Sequence, residues 1–119
     1  MSTNTSCSTG CPVKKTLSLF EGKYSAYILS ELISGKQRFS ALLKKIPGIS
    51  SKTLNDKLKY YTATGIVTRR AYPEIPPRVE YELTEQGASL KTVMDSLYQF
   101  GSTVEFLNEE NEANAKAAG

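Results

Sequence analysis

Apolar positions recur along the chain at two different periods, and the change from one to the other lays out its elements. Cys11-Pro12 opens the first, since proline suits the first turn of a helix. Val13, Leu17 and Phe20 follow at i, i+4 and i+7, a short amphipathic helix interrupted by Glu21-Gly22. Tyr24, Tyr27, Ile28, Leu32 and Ile33 mark a second helix, stopped by Ser34-Gly35. Lys36-Gln37-Arg38 reads as a minor edge strand. A third helix runs from about Ser40 to Ile46, with Leu42, Leu43 and Ile46 inward and Lys44 and Lys45 outward.

The next four residues, Pro47-Gly48-Ile49-Ser50, form a tight turn that ends one helix and supplies Ser50 as N-cap of the next. Leu54, Leu58 and Tyr61 then share one face, and Gly65 closes the helix. Lys52, Asp56, Lys59 and Ala63 fall on the opposite face, flanked by Thr53 and Asn55. Residues 40–64 therefore read as helix, short turn, helix. Such pairs also occur in ordinary globular proteins and do not by themselves decide a function.

After Gly65 the period becomes two. Ile66 to Tyr72 is β-prone and carries Arg69-Arg70, and Val79 to Leu83 alternates cleanly. Between them lies the stiff tip Tyr72-Pro73-Glu74-Ile75-Pro76-Pro77-Arg78. Two strands joined by a rigid, basic-ended loop directly after a helix-turn-helix predict a winged helix. The fold class expected is mainly α with a small antiparallel β wing (α+β).

Thr84 is placed to cap a last helix whose Leu90, Val93, Leu97, Phe100, Val104 and Leu107 step by 3, 4, 3, 4 and 3. That is a heptad seam. Its first half closes the domain's own core. Its second half runs beyond a small domain's edge and is read as a dimerisation surface, together with Val13 and Leu17 of the first helix. The organisation expected is a flexible N-terminal segment over residues 1–10, a winged-helix domain with dimerisation helices over 11–107, and a frayed acidic tail over 108–119.

Charge sharpens this outline. The 119 residues carry a formal net +3, but between Lys36 and Arg78 ten basic residues face two acidic ones, a local +8 against −5 elsewhere. A basic centre between acidic flanks is the footprint of a polyanion binder, although a solvated basic face would look the same. The chain has no histidine, which removes Ser-His-Asp and Cys-His catalysis and any His-ligated metal. An enzyme is not expected, and neither a cofactor nor a metal is assigned. Two cysteines are too few for a stapled secreted scaffold. The first ten residues are Ser/Thr-rich without a signal peptide's apolar run, so a soluble cytoplasmic protein with no membrane partner is expected.

Several of these residues together resemble one family. They are Cys11-Pro12-Val13, Gly22-Lys23-Tyr24, Arg38-Phe39, Gly48-Ile49-Ser50, Lys52, Leu54, Leu58, Gly65, Tyr72, the run Pro76-Pro77-Arg78-Val79-Glu80-Tyr81-Glu82-Leu83-Thr84, and Gly87. The chain is similar over residues 11–101 to the HxlR-type (DUF24) bacterial transcription regulators. The resemblance implies a homodimeric winged helix related to the MarR type. It also implies that a cysteine at the place of Cys11 answers to electrophiles or oxidants. Departures are Tyr24 and Phe100, where the family usually has tryptophan, and Tyr60 to Thr64, which replaces a more acidic stretch.

The expected partner is therefore double-stranded DNA. Ser51, Lys52, Thr53, Asn55 and Asp56 begin the recognition helix and are placed to reach base edges. Lys52 suits guanine, Asn55 adenine, and Asp56 cytosine N4 or, in preference, a local salt bridge. Ser50, Lys44, Lys45, Lys57 and Lys59 are expected at phosphates, and Arg78 with Pro76 and Pro77 in or beside a minor groove. A symmetric dimer then asks for a pseudo-palindrome with half-sites ~10 bp apart. Cys11 sits at a helix N-terminus with Lys14 and Lys15 one turn on, which favours thiolate, and Cys7 is a candidate resolving thiol. An inert cysteine pair in a small-molecule-responsive regulator stays open at this point. So does a winged helix that binds an acidic protein.

Overall fold

The structure is a computed structural model that describes residues 10–105 and 107. Cys7 and the tail from Asn108 lie outside the described residues.

The chain begins with α1 (Pro12–Leu17), with Pro12 at its first position. A single 3-10 turn follows at Ser18–Phe20, before α2 (Ser25–Ile33). Helix α2 buries Ser25, Ile28, Leu29 and Leu32 and leaves Tyr27 in solvent. A two-residue strand β1 (Gln37–Arg38) leads directly into α3 (Phe39–Lys45). After the turn at Pro47–Ser50 comes α4 (Ser51–Ala63), then the hairpin of β2 (Val67–Tyr72) and β3 (Arg78–Leu83).

The three strands lie in the order β1-β3-β2, all antiparallel. β3 is thus the central strand. Its Tyr81 pairs with Gln37 on one side and Arg69 on the other. This inserts the start of α3 into the same sheet as the wing, so helix-turn-helix and hairpin share one frame. The core is the stripe expected from the apolar period: Leu54, Leu58 and Tyr61 of α4 pack with Ile28, Leu29, Leu32, Leu42 and Ile46, and the sheet contributes Val67 and Tyr81.

The C-terminal region departs from expectation. Thr84 caps not one long helix but the single turn α5 (Glu85–Ala88), its Oγ1 accepting from Gly87 N at 3.0 Å. A new helix, α6 (Leu90–Thr103), follows after Ser89. It ends before the seam does. Val104 is in extended backbone as the C-cap, so Val104 and Leu107 continue the apolar spacing without the helix. β-branched Thr103 and Val104 after Gly101 weaken the last turn, a signal the heptad count had overridden. Among the described residues, no helix is long and apolar enough to cross a membrane.

Candidate nucleic-acid interface

The turn before α4 is fixed from two directions. Gly48 adopts φ +83°, a left-handed conformation open to glycine at no steric cost. Its carbonyl accepts from the Tyr24 hydroxyl at 3.1 Å. Tyr24, one of the departures from the family pattern, thereby ties the start of α2 to the helix-turn-helix corner. Ser50 caps α4 as expected, its Oγ accepting from Thr53 N at 3.0 Å while donating to Thr53 Oγ1. Ser51, Lys52, Thr53, Asn55 and Asp56 are consequently all exposed on the first turns of a rigidly seated helix. Lys52 Nζ donates to Asp56 Oδ2 at 2.9 Å, the local pairing preferred for that carboxylate. Both ends are in solvent, so the bridge opens readily to a phosphate or a base.

Behind this face runs a groove between α4 and the hairpin. One part, of about 530 Å³, is lined by Asn55, Lys59, Thr62 and Arg69. An adjoining part, of about 520 Å³, shares Asn55 and Arg69 and reaches Arg38, Pro76 and Pro77. Arg38 and Arg69 were not among the contacts expected from the sequence. The signal for Arg69 was its register: opposite Tyr81, it stands on the face of the sheet turned to α4. Arg38 was hidden by its assignment to a minor strand, yet it is the residue from which α3 springs.

The basic residues of the central stretch separate into two groups. Lys36, Lys45, Lys52, Lys57 and Arg78 are engaged within the chain. Arg38, Lys44, Lys59, Arg69 and Arg70 are exposed and have no acceptor among the described residues. Of these five, Arg38, Lys59 and Arg69 line the groove. Lys45, at the end of α3, donates to Gln37 Oε1 at 2.9 Å and lies 3.8 Å from Glu31.

Two expected contacts are placed elsewhere. Lys57 is turned off the outer face of α4, and its ammonium donates to the Glu21 carbonyl at 2.7 Å. Arg78 is not a free cationic tip. It begins β3, lies 3.9 Å above the ring of Tyr72 and pairs with Glu74 at 3.0 Å and Glu80 at 3.8 Å. The outermost point of the wing is instead the apolar Ile75, fully exposed beside Pro76 and Pro77.

Val13 and Leu17 of α1, and Leu97 and Phe100 of α6, are each half exposed or more. Leu90 and Val93, at the start of the same seam, pack into the core, as the division of the seam anticipated. Cys11 occupies the N-cap position of α1, and its carbonyl accepts from Lys15 N. It is disulfide-bonded.

Comparison with known proteins agrees with this geometry. The model of the HxlR-like helix-turn-helix family matches residues 19–110. An HTH-type transcriptional regulator of Synechocystis, sll1512, is 40% identical over 101 residues, which is 85% of this chain and 73% of that one. Among solved structures, the redox regulator HypR in its reduced form superposes with a TM-score of 0.72 at 35% identity, over 77% of this chain and 91% of that one. The reduced transcriptional regulator YodB of Bacillus subtilis does so with a TM-score of 0.68 at 34% identity, over 76% of this chain and 89% of that one. With a tri-stranded wing behind a capped recognition helix and a family match across most of its length, this chain belongs to the HxlR-like helix-turn-helix family.

Proposed function

We propose that the protein is a homodimeric, sequence-specific DNA-binding transcriptional regulator. The observation that carries this reading is the exposed, unpaired set Arg38, Lys44, Lys59, Arg69 and Arg70, of which Arg38, Lys59 and Arg69 line the groove beside an outward recognition helix. Ser51, Lys52, Thr53 and Asn55 enter the major groove, where a lysine and an amide have distinct base partners. The unpaired cations hold the phosphates, and the Pro76-Pro77 tip follows the backbone toward the minor groove. A second copy covers Val13, Leu17, Leu97 and Phe100, giving two recognition helices for a pseudo-palindromic operator.

The test is a titration by fluorescence anisotropy against duplex DNA from upstream of the protein's own gene and against an unrelated duplex. With five unpaired cations per protomer, log affinity falls against log salt with a slope of up to about −9. Equal affinity for both duplexes at every salt concentration would sink sequence-specific control and favour an interaction module for acidic partners.

The second element of the proposal is a thiol switch at Cys11. Its place at the entrance of α1 and the redox regulators among the structural relatives support it. Oxidation of two thiols to a disulfide transfers two electrons and two protons to the oxidant, so diamide serves as the probe. Operator affinity is expected to differ between diamide-treated and reduced protein, and Cys11→Ser to abolish the difference. A response that survives in Cys11→Ser removes Cys11 as the sensor, whereas equal affinity of diamide-treated and reduced wild type leaves the cysteines as bystanders of a small-molecule-responsive regulator.

A further inference from the structure

Helix α4 presents a third face beside the groove, at the edge of the core, where the buried Tyr61 turns its hydroxyl outward from the apolar cluster to a main-chain acceptor. Lys57, Tyr60 and Tyr61 lie within one turn on the side of the helix that meets residues 18–21. All three reach the short stretch that follows α1. Tyr61 Oη donates to the Leu19 carbonyl at 2.7 Å, and Lys57 Nζ donates to the Glu21 carbonyl at 2.7 Å. Tyr60 Oη lies 3.4 Å from Ser18 Oγ. The Lys57 ammonium also sits 5.8 Å from the centroids of both tyrosine rings. The fully buried Ser25 completes the node by donating to the same Glu21 carbonyl. Burial pushes the Tyr61 hydroxyl above the usual tyrosine range, consistent with a neutral donor.

The targets of Lys57 and Tyr61 are main-chain carbonyls at the end of a 3-10 turn, acceptors that such a turn leaves unsatisfied. A cation at that end is also favoured by the peptide dipoles. Because the backbone is bound, what matters is where the turn lies rather than which side chains it carries. Lys59, only two residues away, points about 200° around the helix and into the groove.

We propose that Lys57 and Tyr61 are positioning residues that seat the recognition helix on the segment following α1, an inference that rests on the DNA-binding function proposed above. The seat makes the angle of α4 depend on the placement of α1. Lys57 acts at no phosphate.

The experiment uses the full chain and two readouts, hydrogen exchange of the free protein and binding to operator and unrelated duplexes across a salt series. In Lys57→Met, amides of residues 18–25 are expected to exchange about tenfold faster, and operator affinity to fall by about tenfold. The affinity for unrelated duplex changes by less than about twofold and the salt slope is unchanged. Lys57→Arg, which can still donate to the carbonyl, recovers operator affinity, and Tyr61→Phe repeats the Lys57→Met pattern. A slope smaller by about 0.9 per lost contact, with equal losses on both duplexes, makes Lys57 a phosphate contact and overturns the proposal. Unchanged exchange at 18–25 overturns it as well, even where the wild type prefers its operator. Faster exchange in a protein that shows no operator preference refutes the DNA-binding function instead, and with it the purpose of the seat.

Discussion

Gly87 offers a stringent test of how the sheet is joined to the terminal helix. A Cβ at this position would stand 2.1 Å from the Ile66 carbonyl oxygen and 3.0 Å from its carbon. Contact between a methyl carbon and an oxygen needs about 3.3 Å or more, so Gly87→Ala forces α5 and Ile66 apart by more than an ångström. Neither side yields easily. The Ile66 carbonyl accepts from Thr84 N at 2.9 Å and from Thr84 Oγ1 at 3.3 Å, and Ile66 N donates to the Tyr61 carbonyl at 2.9 Å. Overpacking costs about 1–3 kcal/mol, and a displaced backbone hydrogen bond adds about 1 kcal/mol. The gain in helix propensity on replacing glycine returns about 1 kcal/mol. The net loss is about 1–3 kcal/mol, which for a domain of this size lowers Tm by roughly 4–24 °C. The assay is thermal unfolding followed by far-ultraviolet circular dichroism at one fixed chain concentration, since the proposed dimer would make Tm concentration-dependent. A Tm within 2 °C of wild type would refute the reasoning and show that α5 slides freely on the hairpin base.

Ser50→Ala removes the cap of α4 and is expected to lose about 1 kcal/mol of stability, read as the midpoint of a urea titration with unchanged slope. Arg69→Ala removes an unpaired groove cation. Affinity for operator and unrelated duplex should fall together, and the salt slope should shrink by about 0.9 for each protomer's contact. Leu97→Asp places a charge in the exposed half of the α6 seam. Sedimentation should then report monomers at concentrations where the wild type is dimeric, with operator affinity reduced in parallel, whereas an unchanged mass would remove α6 from the interface.

The sequence disclosed the reader of DNA better than its surroundings. Leu54, Leu58 and Tyr61 follow from period alone, Ser50 from its capping chemistry, and β3 from strict alternation after two prolines. These are local properties, set within one turn or one pleat. What escaped were relations across the fold. Lys57 and Lys59 are identical in chemistry, and only the position of Glu21, thirty-six residues earlier, turns one into a tether. Arg78 looked like a charged tip because its stacking partner Tyr72 is brought to it by strand pairing, while Glu80 joins it on the same face of β3. The break between α5 and α6 left no mark in the apolar spacing, since Leu90 satisfies the heptad from either side of it.

The base of the wing has one last consequence. β3 is hydrogen-bonded on both edges, and its pairing with β2 runs without interruption from Val67↔Leu83 to Tyr72↔Arg78, where the arginine stacks over the tyrosine ring. Everything beyond that rung, residues 73–77, hangs outside the ladder. Doubling the length of such a loop costs only about 0.6 kcal/mol in closure entropy. The reach of the hairpin is therefore an adjustable dimension, free to lengthen or shorten as promoters diverge, while the closed rung keeps each change from propagating into the register that orients the groove-reading helix.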